Sequence, residues 1–129
     1  LPRLLRRSWN DLRGAARVAR KNPSDVNLHN LRIRLKDLRY GCETVALVEG
    51  GPAQKTAKAC ERMTTKLGDL HDASYSIDWL EALADDRPDL AEPIAALVDH
   101  QRAAATQSRK GWKKDLKEVE RRWRRWHRG

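Results

Sequence analysis

The 129 residues suffice for one domain with one core, burying about two thirds of the surface an unfolded chain exposes. Lys and Arg number 27 against 18 Asp and Glu, and an isoelectric point near 10.1 favours a polyanionic partner: nucleic acid, an anionic membrane surface or a phosphate polymer. No apolar run approaches the ~20 residues of a membrane span, and the charged start LPRLLRRSWNDL lacks the apolar centre of a signal peptide, so a cytoplasmic location is expected. A first residue of Leu rather than Met points to a chain cut from a longer polypeptide.

Periodicity predicts four helices, separated by clusters of Pro and Gly. The first covers 2–21, with Pro2 suited to an opening turn. Its apolar stripe is Leu5, Leu12, Ala15 and Ala19, with Arg6, Arg13, Arg17 and Arg20 aligned alongside. NPSDVN breaks it, and Ser24 or Asp25 can N-cap a second helix over 24–48. There Leu31, Leu35, Leu38, Cys42 and Val45 share one sector, while His29, Arg32, Lys36 and Arg39 share another about 110° round. Cations four apart, such as Arg32 and Lys36, repel by a few tenths of a kcal/mol. A stripe that lowers stability in this way asks for an anion.

EGGP ends the second helix: Gly50 and Gly51 can form a left-handed cap and Pro52 prevents continuation. A third helix is expected over 53–84, bending at LGDLHD, with Ala59, Met63, Leu67 and Leu70 on one face and Lys55, Lys58, Arg62 and Lys66 on another. After DDRPDL a fourth is expected over 88–126. Its long seam holds Leu90, Ile94, Leu97, Val98, Ala105, Trp112, Leu116, Val119, Trp123 and Trp126, flanked by Arg102, Arg109 and Lys113. Gly111 weakens this helix by about 1 kcal/mol and marks a candidate bend. Strand signals are absent, so the expectation is an all-α antiparallel four-helix bundle with basic faces. Cys42 and Cys60 sit at apolar positions and read as buried thiols of a reducing compartment rather than a disulfide.

Any single cationic row can be an ordinary solvated face, because Lys and Arg commonly lay their stems along apolar surface. Four rows together weaken that reading, since acids are scarce within them. Asp37 and Glu61 lie elsewhere on their helices, although Glu43 and Asp69 continue the rows.

LHNLRIRLKDLRYGCE together with KLGDLHDASYSIDWL resembles the CHAD family, the conserved-histidine α-helical domains. The family pattern of a histidine, Leu-Arg, a base four residues on, Leu-Arg-Tyr and a following Glu is matched at His29, Leu31, Arg32, Lys36, Leu38, Arg39, Tyr40 and Glu43. Leu67, Gly68 and Asp72 match a second block, where His71 replaces the usual Asn. The resemblance implies helical bundles that bind inorganic polyphosphate through basic residues, often beside polyphosphate enzymes, and an association with polyphosphate granules. It carries over to His29, Arg32, Lys36 and Arg39, and more loosely to the row before LGDLHD. Complete members contain two similar halves, so the chain resembles the C-terminal half of a two-bundle architecture. A closed site would then require the missing N-terminal half or a homodimer partner.

The chemistry is compatible with that ligand. A phosphate polymer presents charge at every repeat and no bases, so a row of cations is what it needs. Arg forks onto phosphate oxygens, Lys supplies a point charge, and His29 can gain a proton as phosphate approaches; its place near the positive end of a helix also attracts anions. No catalytic motif, cofactor site or metal site is expected. His71 and Asp72 lack further ligands among His29, His100 and His127, which suits an N-cap or packing role for Asp72. Nucleic acid is the rival partner, supported by Trp112, Trp123 and Trp126 among the cations of the tail, which could stack bases unless the seam buries them. A membrane-surface role for the same tail ranks third. Trp9 and Trp79 read as packing or rim residues.

Overall fold

The computed structural model describes residues 3–128, so the expected opening turn at Pro2 lies outside the described residues. Among them are five α-helices and one 3-10 turn, and no strand: α1 (Arg3–Lys21), α2 (Asp25–Glu49), α3 (Gly51–Asp86), the turn Pro88–Leu90, α4 (Ala91–Lys110) and α5 (Trp112–Arg128). Ser24 N-caps α2, its hydroxyl accepting from the Asn27 amide at 3.2 Å. Gly50 turns the chain with φ 64°, a conformation that a Cβ disfavours. Pro52 then opens α3 within its first turn, where a missing N–H leaves no bond unmade.

Two expectations are corrected. α3 runs unbroken through LGDLHD, so Asp72 lies mid-helix on the surface and caps nothing. The single long fourth helix is two, divided at Gly111.

Short connections bring α2 against α1, α3 against α2 and α4 against α3, while α5 continues onward from α4 along α3; cross-helix contacts fix the register. Leu5 lies against Gly41 and Asp11 faces Arg34, so α1 and α2 run antiparallel. Arg32 reaches Thr64 while His29 stacks on His71, which sets α2 against α3 in the same sense. Glu81 pairs with Arg102 and Lys66 with Asp115, placing α4 along the second half of α3 and α5 along its first.

The core cluster draws on α1, α2, α3 and α5, with Leu12, Leu31, Leu35, Leu38, Met63, Leu116 and Val119 almost wholly enclosed. Burial of each such Leu or Val removes on the order of 1.5–3 kcal/mol of apolar exposure. α4 stands apart. Its two buried residues, Ile94 and Val98, are outside this cluster, and α3 encloses no residue after Ala73. Leu97, expected in the seam, is exposed because α4 has α3 as its main neighbour.

Candidate functional site

The apolar stripe of α2 points into the core, which carries the neighbouring sector to the edge of the α2–α3 seam. His29, Arg32, Lys36 and Arg39 are all half-buried there, whereas bases on a free helix face would be exposed. Arg32 is held across the seam: its Nε donates to the Thr64 carbonyl at 3.3 Å, and its guanidinium crosses Gly68. A Cβ on residue 68 would lie 3.2–3.5 Å from that guanidinium, so the glycine leaves the space that Arg32 occupies.

The buried Thr64 hydroxyl is satisfied within α3, donating to the Cys60 carbonyl at 2.7 Å. Arg39 donates from Nε to Glu43 at 3.0 Å and lies 5.3 Å from the Tyr40 ring centre. His29 stacks on His71 with ring centres 4.9 Å apart, and its Nδ1 is buried without a hydrogen-bond partner. Leaving such a nitrogen unmatched costs about 1–3 kcal/mol. His71 was visible in the sequence as a departure from the family pattern; its contact with His29 was not.

The α3 row lies on the other flank of α3, because Lys66 stands about 200° round the helix from Thr64 and from Gly68. Lys58, Arg62 and Lys66 line a groove of about 610 Å³, closed on one side by Gln107 and Ser108 of α4 and carrying Glu61 and Asp69. Lys66 Nζ approaches Asp115 Oδ2 to 2.7 Å, a charge pairing without hydrogen-bond alignment, and passes where a Cβ on Gly111 would stand. Lys55 is exposed, outside this groove. The two rows therefore border α3 on either side and share no lining residue.

The remaining candidate cations divide. Arg109 ties α4 to the α1–α2 connection through Asp25 and the Pro23 carbonyl, and Arg102 pairs with Glu81. Lys113 lies 5.8 Å from the Trp112 ring centre. In α1, Arg13 flanks the Trp9–Trp123 stack, Arg17 is exposed, and Arg20 reaches Glu120 of α5. Opposite Arg20 lie Lys117, Arg121, Arg124, Arg125 and Arg128, cations that sequence reading noted in the tail without assigning them a groove. Their spacing of three and four residues was the available signal. Burial pushes the Glu118 carboxyl upward, but hydrogen bonds from Arg121 and Arg122 outweigh it and hold the group below the usual carboxylate range.

Trp112 and Trp123 are buried and Trp126 packs partly buried on the core, which removes the first two indoles from any base-stacking surface. Among the described residues no cluster of three His, Cys, Asp or Glu could hold a metal, and no helix is long and apolar enough to cross a membrane.

The CHAD domain model matches residues 1–81, from α1 through most of α3. The chain belongs to the CHAD domain family, a family of binding modules known in general for binding polyphosphate. No curated protein and no solved structure matches the chain.

Proposed function

We propose that the protein binds inorganic polyphosphate, or a closely similar phosphate-rich polyanion, through the half-buried row His29, Arg32, Lys36 and Arg39, and does not catalyse its turnover. The observation that carries this reading is Arg32, fixed over Gly68 by the Thr64 carbonyl. An arginine anchored through Nε keeps its two terminal nitrogens in one plane, the geometry that forks onto phosphate oxygens. Lys58, Arg62 and Lys66 extend the cationic surface on the other flank of α3, with Lys55 at its end. Arg102, Arg109 and Lys113 contribute field rather than direct contact, since the first two are already paired and the third lies over Trp112. The α1, α2, α3 and α5 helices form an antiparallel four-helix bundle in this reading, one half of a two-bundle architecture. The other half, or a second copy of the chain, completes the site. Location in the cytoplasm or on polyphosphate granules follows from that ligand.

The test is competition at near-physiological salt. Labelled long-chain polyphosphate should bind, resist displacement by single- and double-stranded DNA, and lose affinity in the Arg32→Ala/Lys36→Ala/Arg39→Ala variant while helicity is kept. Affinity should also fall steeply with added salt, since neutralising many phosphates releases many counterions. Retained affinity in the folded variant moves the site elsewhere. Equal displacement by any polyanion makes nucleic acid the leading partner.

A further inference from the structure

We propose that the groove between α1 and α5 is a second phosphate-polymer site, so that one chain engages polyphosphate at two places built from different helices. The proposal rests on the polyphosphate reading above but not on the α2–α3 row. The groove has a volume of about 820 Å³, with Arg20 on one wall and five bases of α5 on the other. Glu120 is its one lining carboxylate, and Arg20 and Arg124 already use it. Lys117, Arg125 and Arg128 have no carboxylate in ion-pair range among the described residues.

An ordinary exposed helix would offset such charges. Here Lys117, Arg121 and Arg125 follow at four-residue intervals, as do Arg124 and Arg128, and like charges at that spacing repel. The helix dipole favours bases in the last turn, which accounts for Arg125 and Arg128 in α5 and for Arg20 in α1, but not for Lys117. Glu118 offsets Arg121, and a polyanion in the groove would relieve Lys117, Arg125 and Arg128, which are left without a carboxylate among the described residues.

The form of the site selects among polyanions. Trp9 and Trp123, which border the adjoining cleft beside Arg124 and Arg128, stack on each other at 4.7 Å and are buried. The groove therefore presents cations without exposed indole faces, suited to a chain of phosphates that carries no bases. Its α5 wall also lies outside the matched region, which ends at residue 81 and includes only Arg20 of the groove.

Two sites on one chain make a long polymer bivalent, and linked binding can exceed either affinity alone by about a hundredfold or more. The experiment is calorimetric titration with short-chain and long-chain polyphosphate, at near-physiological salt, of four proteins: unaltered, Arg32→Ala/Lys36→Ala/Arg39→Ala, Lys117→Gln/Arg125→Gln/Arg128→Gln, and the combination. The Gln changes fall on exposed side chains and leave the packing residues Leu116, Val119 and Trp123 in place; circular dichroism confirms that α5 persists. The expected result is two short chains bound per unaltered protein, one in either triple variant and none in the combination. Long-chain affinity should fall roughly a hundredfold in either triple variant.

One short chain per unaltered protein, or unchanged stoichiometry in the Gln variant, overturns the second site. A folded α2 variant that still binds two, with loss only in the Gln variant, sinks the α2–α3 reading and leaves the α5 site standing. Displacement of polyphosphate from the α2 variant by single-stranded DNA at equal phosphate concentration overturns the assignment of this groove to an inorganic polymer.

Discussion

The Arg32 guanidinium lies 3.2–3.5 Å from where a Cβ on residue 68 would stand, so the conformation of a cation on α2 is pressed on by any side chain at a glycine of α3. Gly68→Ala should push the guanidinium away from Thr64 and lower polyphosphate affinity by about tenfold, ~1.4 kcal/mol. It should not lower stability, because Ala is favoured over Gly in a helix interior by about 1 kcal/mol, which offsets a small displacement of a flexible side chain. Binding and urea denaturation measured on the same sample separate the two effects. Unchanged affinity with a displaced Arg32 would remove this residue from the site.

Asp115 neutralises Lys66 at the closed side of the α3 groove. Asp115→Asn keeps the shape and removes the charge. Affinity for polyphosphate should rise a few fold and its logarithmic dependence on salt should steepen by about one unit, as for one added phosphate contact. Stability should fall by about 1–3 kcal/mol, since Asp115 is mostly enclosed and Lys66 half so. A drop in affinity would show that the pair positions Lys66 rather than restraining its charge.

The thiols make the protein sensitive to base. Burial pushes Cys42 up to about 12, with Glu43 adding to it, and burial pushes Cys60 higher still, with neighbouring Cys42 adding to it. An unfolded thiol ionises from about pH 8.5. The folded state thus holds fewer negative charges than the unfolded one above that pH. Stability contributed by neutral thiols is fully present below pH 8.5 and declines as pH rises toward 12, by about 1.4 kcal/mol per pH unit for each thiol. Urea midpoints at pH 8, 9 and 10 should fall in the native sequence and fall less in Cys42→Ala/Cys60→Ala. In the folded protein at pH 8, alkylation of either cysteine should be far slower than after denaturation.

Trp123 is the aromatic hub joining α5 to α1. It stacks on Trp9, meets Trp126 edge-on at 5.6 Å and lies 3.9 Å from the His127 ring centre. Trp123→Ala should lower stability by about 3–5 kcal/mol. In the fraction still folded at low temperature, binding at the α2–α3 row should persist, as no residue of that row touches the stack. A matching loss in Trp126→Ala would be unexpected from its partial exposure and would shift the weight of packing toward the chain's end.

Much of this was legible from spacing. Leu31, Leu35, Leu38 and Cys42 are buried as their interval requires, and the adjacent sector of bases is half-buried because a stripe that faces the core carries its flank to the seam. Helix ends with local chemistry, Ser24 and Gly50, were legible for the same reason. What spacing does not encode is which helix lies opposite. The contacts of Arg32 with Thr64, of Lys66 with Asp115 and of Arg20 with Glu120 join residues 32 to 100 apart in the chain, and only tertiary packing creates them. Leu97 failed as a core residue because its period was right but its helix had one main neighbour. Asp72 failed as a cap because Gly68 is spent on room for Arg32 and not on ending a helix.

The outlying pairing of α4 with the second half of α3 gives the molecule two grades of permanence. Ile94 and Val98 are the only α4 side chains fully enclosed, and neither joins the main cluster. That hairpin can open by local unfolding while the remaining helices stay docked, so its amides should exchange with solvent long before those around Leu35 or Leu116. Gln107 and Ser108, which close one side of the groove at Lys66, ride on the base of the same hairpin. Each opening therefore unroofs that groove from the side, and a polymer without a nearby end has a lateral way in.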